Sequence, residues 1–185
     1  YDAVGNRLSR DNNGVVTQYF YDNNGRLAQS VGNGVQTQYL YDNNGNLTQQ
    51  QSALKTWDYQ WNTLNQLSKV TTGTITIEYK YNAAGQRHQR FRTEGSQKQE
   101  TLYLFDNERP YAEAVAEWQR VNNGAWQVTR YVHSLDGTGD LLTILKEGQR
   151  YSVHHDGLSS THLLADSTAT PQTSLNYSTF GEPLS

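Results

Sequence analysis

The chain has 185 residues, of which 35% are hydrophobic and 18% charged, with 13 Tyr, 4 Trp, no Cys and a formal net charge of -3 at pH 7. That length holds one domain or two small ones, and the aromatic content separates it from disordered chains, which are poor in aromatic and β-branched residues. No basic stripe offers itself to nucleic acid, no apolar run approaches the ~20 residues of a membrane helix, and the lack of Cys removes disulfides and thiolate chemistry.

Self-similarity begins at the first residue. Tyr1-Asp2-Ala3-Val4-Gly5-Asn6-Arg7-Leu8 returns as Tyr21-Asp22-Asn23-Asn24-Gly25-Arg26-Leu27 and as Tyr41-Asp42-Asn43-Asn44-Gly45-Asn46-Leu47. Weaker copies start at Trp61 and Tyr81, which fixes the step at 20 residues. A period in this range signals a repeat architecture built from one supersecondary unit. With no Met and an opening at Tyr1-Asp2 in mid-motif, the chain is expected to be a piece of something longer, with its targeting signals elsewhere.

Each copy reads as a β-hairpin. Val15 to Tyr21 and Arg26 to Val31 are rich in β-branched, aromatic and aliphatic residues, and Asp22-Asn23-Asn24-Gly25 between them has turn chemistry. Asp and Asn bond back to local backbone, and Gly takes the positive φ that ends a type I turn with a bulge. In the fourth copy Asn65 stands in the Gly position, and Asn is the next most tolerant residue of that conformation. Gly32-Asn33-Gly34 is a second turn leading to the next hairpin.

Alternation along the strands sorts the faces. Tyr19, Tyr21, Tyr39, Tyr41, Tyr59, Trp61, Tyr79 and Tyr81 share one face, predicted to be the more buried, and Gln18, Gln38, Gln60 and Lys80 share the other.

After residue 92 the period drifts. The reading places regular repeats in 1–92 and degenerate repeats in 93–185, continuing the same sheet. Thr101 to Asp106 is a degenerate copy, and Ala112 to Gln119 is expected as an alternating strand in spite of its helix-forming composition. Asn122-Asn123-Gly124 is a hairpin turn. Later strands are expected at Val128 to His133, Leu141 to Lys146, Tyr151 to His155, His162 to Ala165 and Leu175 to Tyr177. The fold class is therefore all-β, with tandem antiparallel hairpins in a curved sheet.

Three groups of residues invite a chemical role. His154, His155, Asp156 and His162 resemble a metal site or triad, but adjacent His residues on a strand face opposite ways. Ser159 and Ser160 lack the strained-elbow signature of a nucleophile. Asp2, Asp22 and Asp42 offer one carboxylate per motif, where calcium takes 6–8 oxygen ligands, so turn capping is the expected job. The aromatic face suits sugar stacking, yet cross-strand aromatic pairs also stabilise sheets directly, and repetition in every unit favours architecture. No catalytic, metal or cofactor residue is assigned.

The repeats of Tyr21-Asp22-Asn23-Asn24-Gly25-Arg26-Leu27, with Arg130-Tyr131-Val132-His133, Asp156 to Asp166 and Tyr177 to Glu182, resemble the YD-repeat region of the Rhs family. That family includes bacterial polymorphic toxins, toxin-complex C components and the related teneurin shells. The resemblance spans the whole chain. It implies a long antiparallel sheet coiled into a hollow, barrel-like shell that encloses a C-terminal toxin or effector. The implied partners are the rest of the shell and that effector, in a secreted or cell-surface protein. In many members a self-cleaving segment follows the repeats; this chain stops at Ser185, before it, and no catalytic residue carries over. The family usually reads Asp-His-Leu-Gly-Ser-Thr where this chain has Asp156-Gly157-Leu158-Ser159-Ser160-Thr161, which argues against a catalytic loop there. The alternative reading is a carbohydrate-binding or adhesion module that uses the aromatic faces and meets cell-surface glycans.

Overall fold

The computed structural model describes residues 1–108, 112–135, 140–157, 159–177, 181 and 183–184. Among them there is no helix, and sixteen strands are hydrogen-bonded in chain order in one sheet, with a further two-stranded pair, Asn176–Tyr177 and Pro183–Leu184. The chain divides into two units, Tyr1–Lys80 with Arg90–Lys98, and Tyr81–Gln89 with Gln99–Ser185.

In the first unit the strands β1 (Ser9–Asn12), β2 (Val15–Tyr21), β3 (Leu27–Gly32), β4 (Val35–Tyr41), β5 (Leu47–Ser52), β6 (Thr56–Trp61), β7 (Leu67–Thr72) and β8 (Ile75–Tyr81) form an antiparallel meander. These are the hairpins read from the sequence. One feature of the register recurs. Phe20 pairs with Gln29 and Tyr21 with Leu27, which leaves Ala28 as an extra residue. Thr48 and Ser68 are extra in the same way in the next two hairpins. Such a bulge bends the strand and adds local twist. The hydroxyls of Thr48 and Ser68 donate to the carbonyls of Leu40 at 3.2 Å and Gln60 at 3.1 Å.

The faces divide in the expected sense. Tyr19, Tyr21, Tyr39, Tyr41, Tyr59, Trp61, Tyr79 and Tyr81 are half-buried, while Gln18, Gln38, Gln60 and Lys80 are exposed. The rings themselves are not the floor of the core. That role belongs to short residues of the return strands, with Ser30 opposite Tyr19 and Val70 opposite Tyr59, both buried. Large rings on one strand and short side chains on its neighbour fill one layer without collision. The other face keeps Phe20 47% and Leu40 51% exposed among glutamines.

In the second unit β9 (Arg87–Glu94) and β10 (Gln97–Asp106), strands that supply residues to both units, are followed by β11 (Glu113–Val121), β12 (Gln127–His133), β13 (Leu141–Lys146), β14 (Gln149–His155), β15 (Thr161–Ala165) and β16 (Pro171–Ser174). The helix-like stretch from Ala112 is a strand, as its alternation required: Ala116 pairs with Leu104 on one side and Arg130 on the other and is buried. Most later strands lie within two residues of the expected ranges. Leu175 falls outside the strand Asn176–Tyr177, and β16 was not foreseen, because Pro-Gln-Thr-Ser shows no apolar alternation. The buried layer is again made of small residues: Thr101, Ala116, Thr129, Thr143, Val153 and Ala165.

Candidate functional site

The chemistry of the repeat is concentrated at the corner where each outgoing strand turns back. In the second hairpin the Asp22 N–H donates to the carbonyl of Arg26 at 2.8 Å, and the Gly25 N–H to the carbonyl of Asp22 at 3.0 Å. One carboxylate oxygen of Asp22 accepts the backbone N–H of Asn24 and of Arg26, both at 2.9 Å, and the other accepts Arg26 Nε at 2.8 Å. The residue three places after the Asp or Asn that opens the turn has positive φ in all five copies, at Gly5, Gly25, Gly45, Asn65 and Gly85.

The first and fifth residues of this turn are chemically matched. Asp2 and Asp42 face the amide donors of Asn6 and Asn46, both at 2.9 Å. Where the chain carries Asn instead, the partner becomes an acceptor: Asn62 Nδ2 donates to Gln66 Oε1 at 2.8 Å, and Asn82 Nδ2 to Gln86 Oε1 at 2.7 Å. The hydrogen bonds hold the carboxyls of Asp2, Asp22 and Asp42 below the usual value of 3.8. The largest cause is a backbone N–H, from Asn6 and Arg26, in the first two, and the Asn46 side chain in the third.

The ring just before the Asp ties one hairpin to the one before it. Tyr21 Oη donates to the carbonyl of Arg7 at 2.9 Å, Tyr41 Oη to that of Leu27 at 2.9 Å, and Trp61 Nε1 to that of Leu47 at 2.8 Å. Each acceptor lies fourteen residues back. A carbonyl just beyond the end of the ladder is satisfied this way, as buried backbone polar groups generally must be. The ring must end in a donor, so Trp can replace Tyr.

This geometry explains the histidine cluster. His155 Nε2 sits 2.8 Å from the carbonyl of Leu141, again fourteen residues back, and His133 Nε2 sits 3.0 Å from that of Ala114. Tyr177 Oη donates to the carbonyl of Thr161 at 2.8 Å. His155-Asp156 is thus a Tyr-Asp pair with imidazole in place of phenol. The Asp156 N–H donates to the carbonyl of Ser160 at 2.9 Å, and Asp156 Oδ1 accepts the N–H of Ser160 at 2.9 Å. His162 is the extra residue of the bulge, its Nδ1 3.0 Å from the carbonyl of Leu175, and His154 is exposed on the opposite face from His155. Ser159 and Ser160 are turn residues. Asp166 repeats the same turn with Thr168 and Thr170, and its carboxyl is likewise held low, first by the Thr168 hydroxyl. Sequence reasoning reads Ser159 and Ser160 as a polar turn, which they form, but gives no sign of the turn at Asp166, where Ala169 occupies the place of Gly. The available signal was an Asp directly after a strand, at Asp156 after His155 and at Asp166 after Ala165.

Among the described residues no three His, Cys, Asp or Glu gather around a common point that could hold a metal ion, and no helix is long and apolar enough to cross a membrane. Leu158, residues 178–180 and Glu182, which belong to the stretches that carry the family resemblance, lie outside the described residues.

Tandem hairpins with a donor ring and an Asx turn recurring at Tyr21-Asp22, Tyr41-Asp42, Trp61-Asn62 and His155-Asp156 define a YD-repeat shell segment. The family model of the teneurin YD-shell matches residues 1–185, and the chain belongs to that family. Solved structures with this fold include TcdB2-TccC3 with Cdc42, 14% identical at a TM-score of 0.51 over 91% of this chain and 12% of that one. Others are TcdB2-TccC3 without its hypervariable C-terminal region, 16% identical at 0.54 over 91% and 10%, and TcdB2-TccC3, 15% identical at 0.50 over 99% and 13%. The chain thus spans about a tenth of each. No curated protein matches it.

Proposed function

We propose that this chain is a non-catalytic stretch of the wall of an exported YD-repeat shell that encloses and helps deliver a C-terminal toxin or effector. Residues 1–92 supply the regular repeats and 93–185 continue the same wall with degenerate ones. The observation that carries this reading is the series of ring-to-carbonyl bonds at Tyr21, Tyr41, Trp61, His133, His155 and Tyr177. The polar tips of these rings are spent inside the sheet. Sequence drift from Tyr to Trp to His keeps the donor and loses the phenol, as architecture demands and ligand recognition does not.

Electron cryomicroscopy of the full-length product that carries this segment tests the proposal. A wall of hairpins around a closed cavity holding separate density supports it. An open sheet with no enclosed volume contradicts it.

The second reading, glycan binding, draws on a shallow depression of about 420 Å³ bordered by Tyr19, Phe20, Tyr21 and Asp22. Against it, the Lys55 ammonium lies 4.2 Å from the ring centre of Trp57 and the Arg120 guanidinium 4.4 Å from that of Trp126. Cations on those ring faces take the place a sugar would stack upon. A glycan array with the purified chain separates the two readings.

A further inference from the structure

The sequence contains five Asn-Gly pairs, at 13–14, 24–25, 33–34, 44–45 and 123–124. All five lie in exposed turns. Asn followed by Gly can close a five-membered ring, because no side chain hinders approach of the Gly backbone nitrogen to the Asn side-chain carbonyl carbon. The nitrogen attacks that carbon, the C–N bond to the amide nitrogen breaks, and ammonia leaves with the proton. Water then opens the succinimide to Asp or isoaspartate. The net change is amide plus water to acid plus ammonia, with one negative charge gained.

The attacking nitrogen is engaged at four of the five. Gly14 N–H donates to Asp11 Oδ1 at 2.8 Å, and Gly124 N–H to the carbonyl of Val121 at 2.8 Å. Gly25 and Gly45 donate to the carbonyls of Asp22 and Asp42 at 3.0 and 3.1 Å. Asn44 has its side chain tied as well, Nδ2 to Asn65 Oδ1 at 3.1 Å. Asn33-Gly34 differs. These are the two central residues of a tight hairpin loop closed by the Gly32–Val35 pair, with φ of 47° and 72°, as Asn13-Gly14 are of theirs, but the Gly34 N–H has no hydrogen-bond partner among the described residues. Nothing lies within 4 Å of the position a Gly34 Cβ would take.

We propose that Asn33 is a site of spontaneous, water-consuming succinimide modification, favoured over the other four pairs because its neighbouring amide is unengaged. The consequence is local to the first unit. Isoaspartate adds a methylene to a two-residue loop closed by the Gly32–Val35 pair. The β3–β4 hairpin must loosen to accept it.

The folded 185-residue chain, incubated at mildly alkaline pH, is digested and mapped by fragment-ion mass spectrometry at successive times. Asn33 is expected to gain about one mass unit roughly five-fold faster than Asn13, Asn24, Asn44 or Asn123, the factor set by the hydrogen bond each of those must first give up. Asn33→Gln should abolish the early product and leave the other four rates unchanged. Equal rates at all five, or a faster gain at any of the four engaged sites, overturns the proposal. So does persistence of the early product in the Asn33→Gln chain.

Discussion

His155 holds the carbonyl of Leu141 through Nε2 at 2.8 Å, across the same fourteen residues that separate Tyr41 from Leu27. If the imidazole serves only as the donor at a corner, tyrosine should replace it. His155→Phe is expected to cost about 1–2 kcal/mol, because it strands a part-buried carbonyl, and His155→Tyr should recover most of that loss. Urea melts of the three chains check this. A Tyr variant as unstable as the Phe variant would remove the equivalence between the two corners.

Ser159 and Ala169 both have φ of 62°, in the place where the other turns carry Gly or Asn. A Cβ in that conformation is strained, so Ser159→Gly and Ala169→Gly should each stabilise the chain by roughly 0.5–1 kcal/mol, the balance of relieved strain and added unfolded-state entropy. The mirror change, Gly25→Ala, should destabilise by a similar amount although open space surrounds that position. Thermal melts give the signs directly. A neutral result at all three positions would mean the turns relax around a side chain.

Much of this was legible in the sequence, for physical reasons. Tyr-Asp-x-x-Gly at a fixed step declares the turn, and alternation declares the faces, since Gln18 and Tyr19 must point apart. Turn capping by Asp was readable from residue type. The bulge was only partly so, because which residue is skipped depends on the ladder and not on the side chain. The buried face was legible from its rings, but the short residues that fill it, Ser30, Val70 and Thr101, carry no mark in residue type. The His155-Asp156 corner was hidden, because the ring changed chemistry and the left-handed residue was no longer glycine.

Acid should unfold the chain through its turns. The carboxyls of Asp2, Asp22, Asp42 and Asp166 all titrate lower when folded than the ordinary value of 3.8. Their stabilising contribution is therefore complete above that value and drains away as the pH falls through the folded one. Melting temperature should hold above the ordinary carboxyl value of 3.8 and fall as the pH is lowered below it. The double variant Asp42→Asn, Asn46→Gln copies the Asn62–Gln66 turn and should flatten that slope while folding normally. Asp42→Asn alone, which sets two amide donors against each other, should be the less stable chain at pH 7. A double variant that melts no better than the single one would contradict the matching rule.

Thr101 is 2% exposed and its hydroxyl has no hydrogen-bond partner among the described residues. Burying an unsatisfied hydroxyl costs free energy that an apolar group of the same shape avoids. Thr101→Val should raise stability by about 1 kcal/mol, measured by urea denaturation with an unchanged m-value. A loss of stability would show that the hydroxyl is satisfied in solution.

The central claim is that the corner ring exists for its donor. Tyr41→Phe deletes one oxygen, the one 2.9 Å from the Leu27 carbonyl, and leaves the ring in place for packing. The urea midpoint of this variant is the most direct test. We expect a loss of about 1 kcal/mol with unchanged slope. An unchanged midpoint would mean that the tyrosine hydroxyl is free for other work, and the architectural account of the repeat would fall.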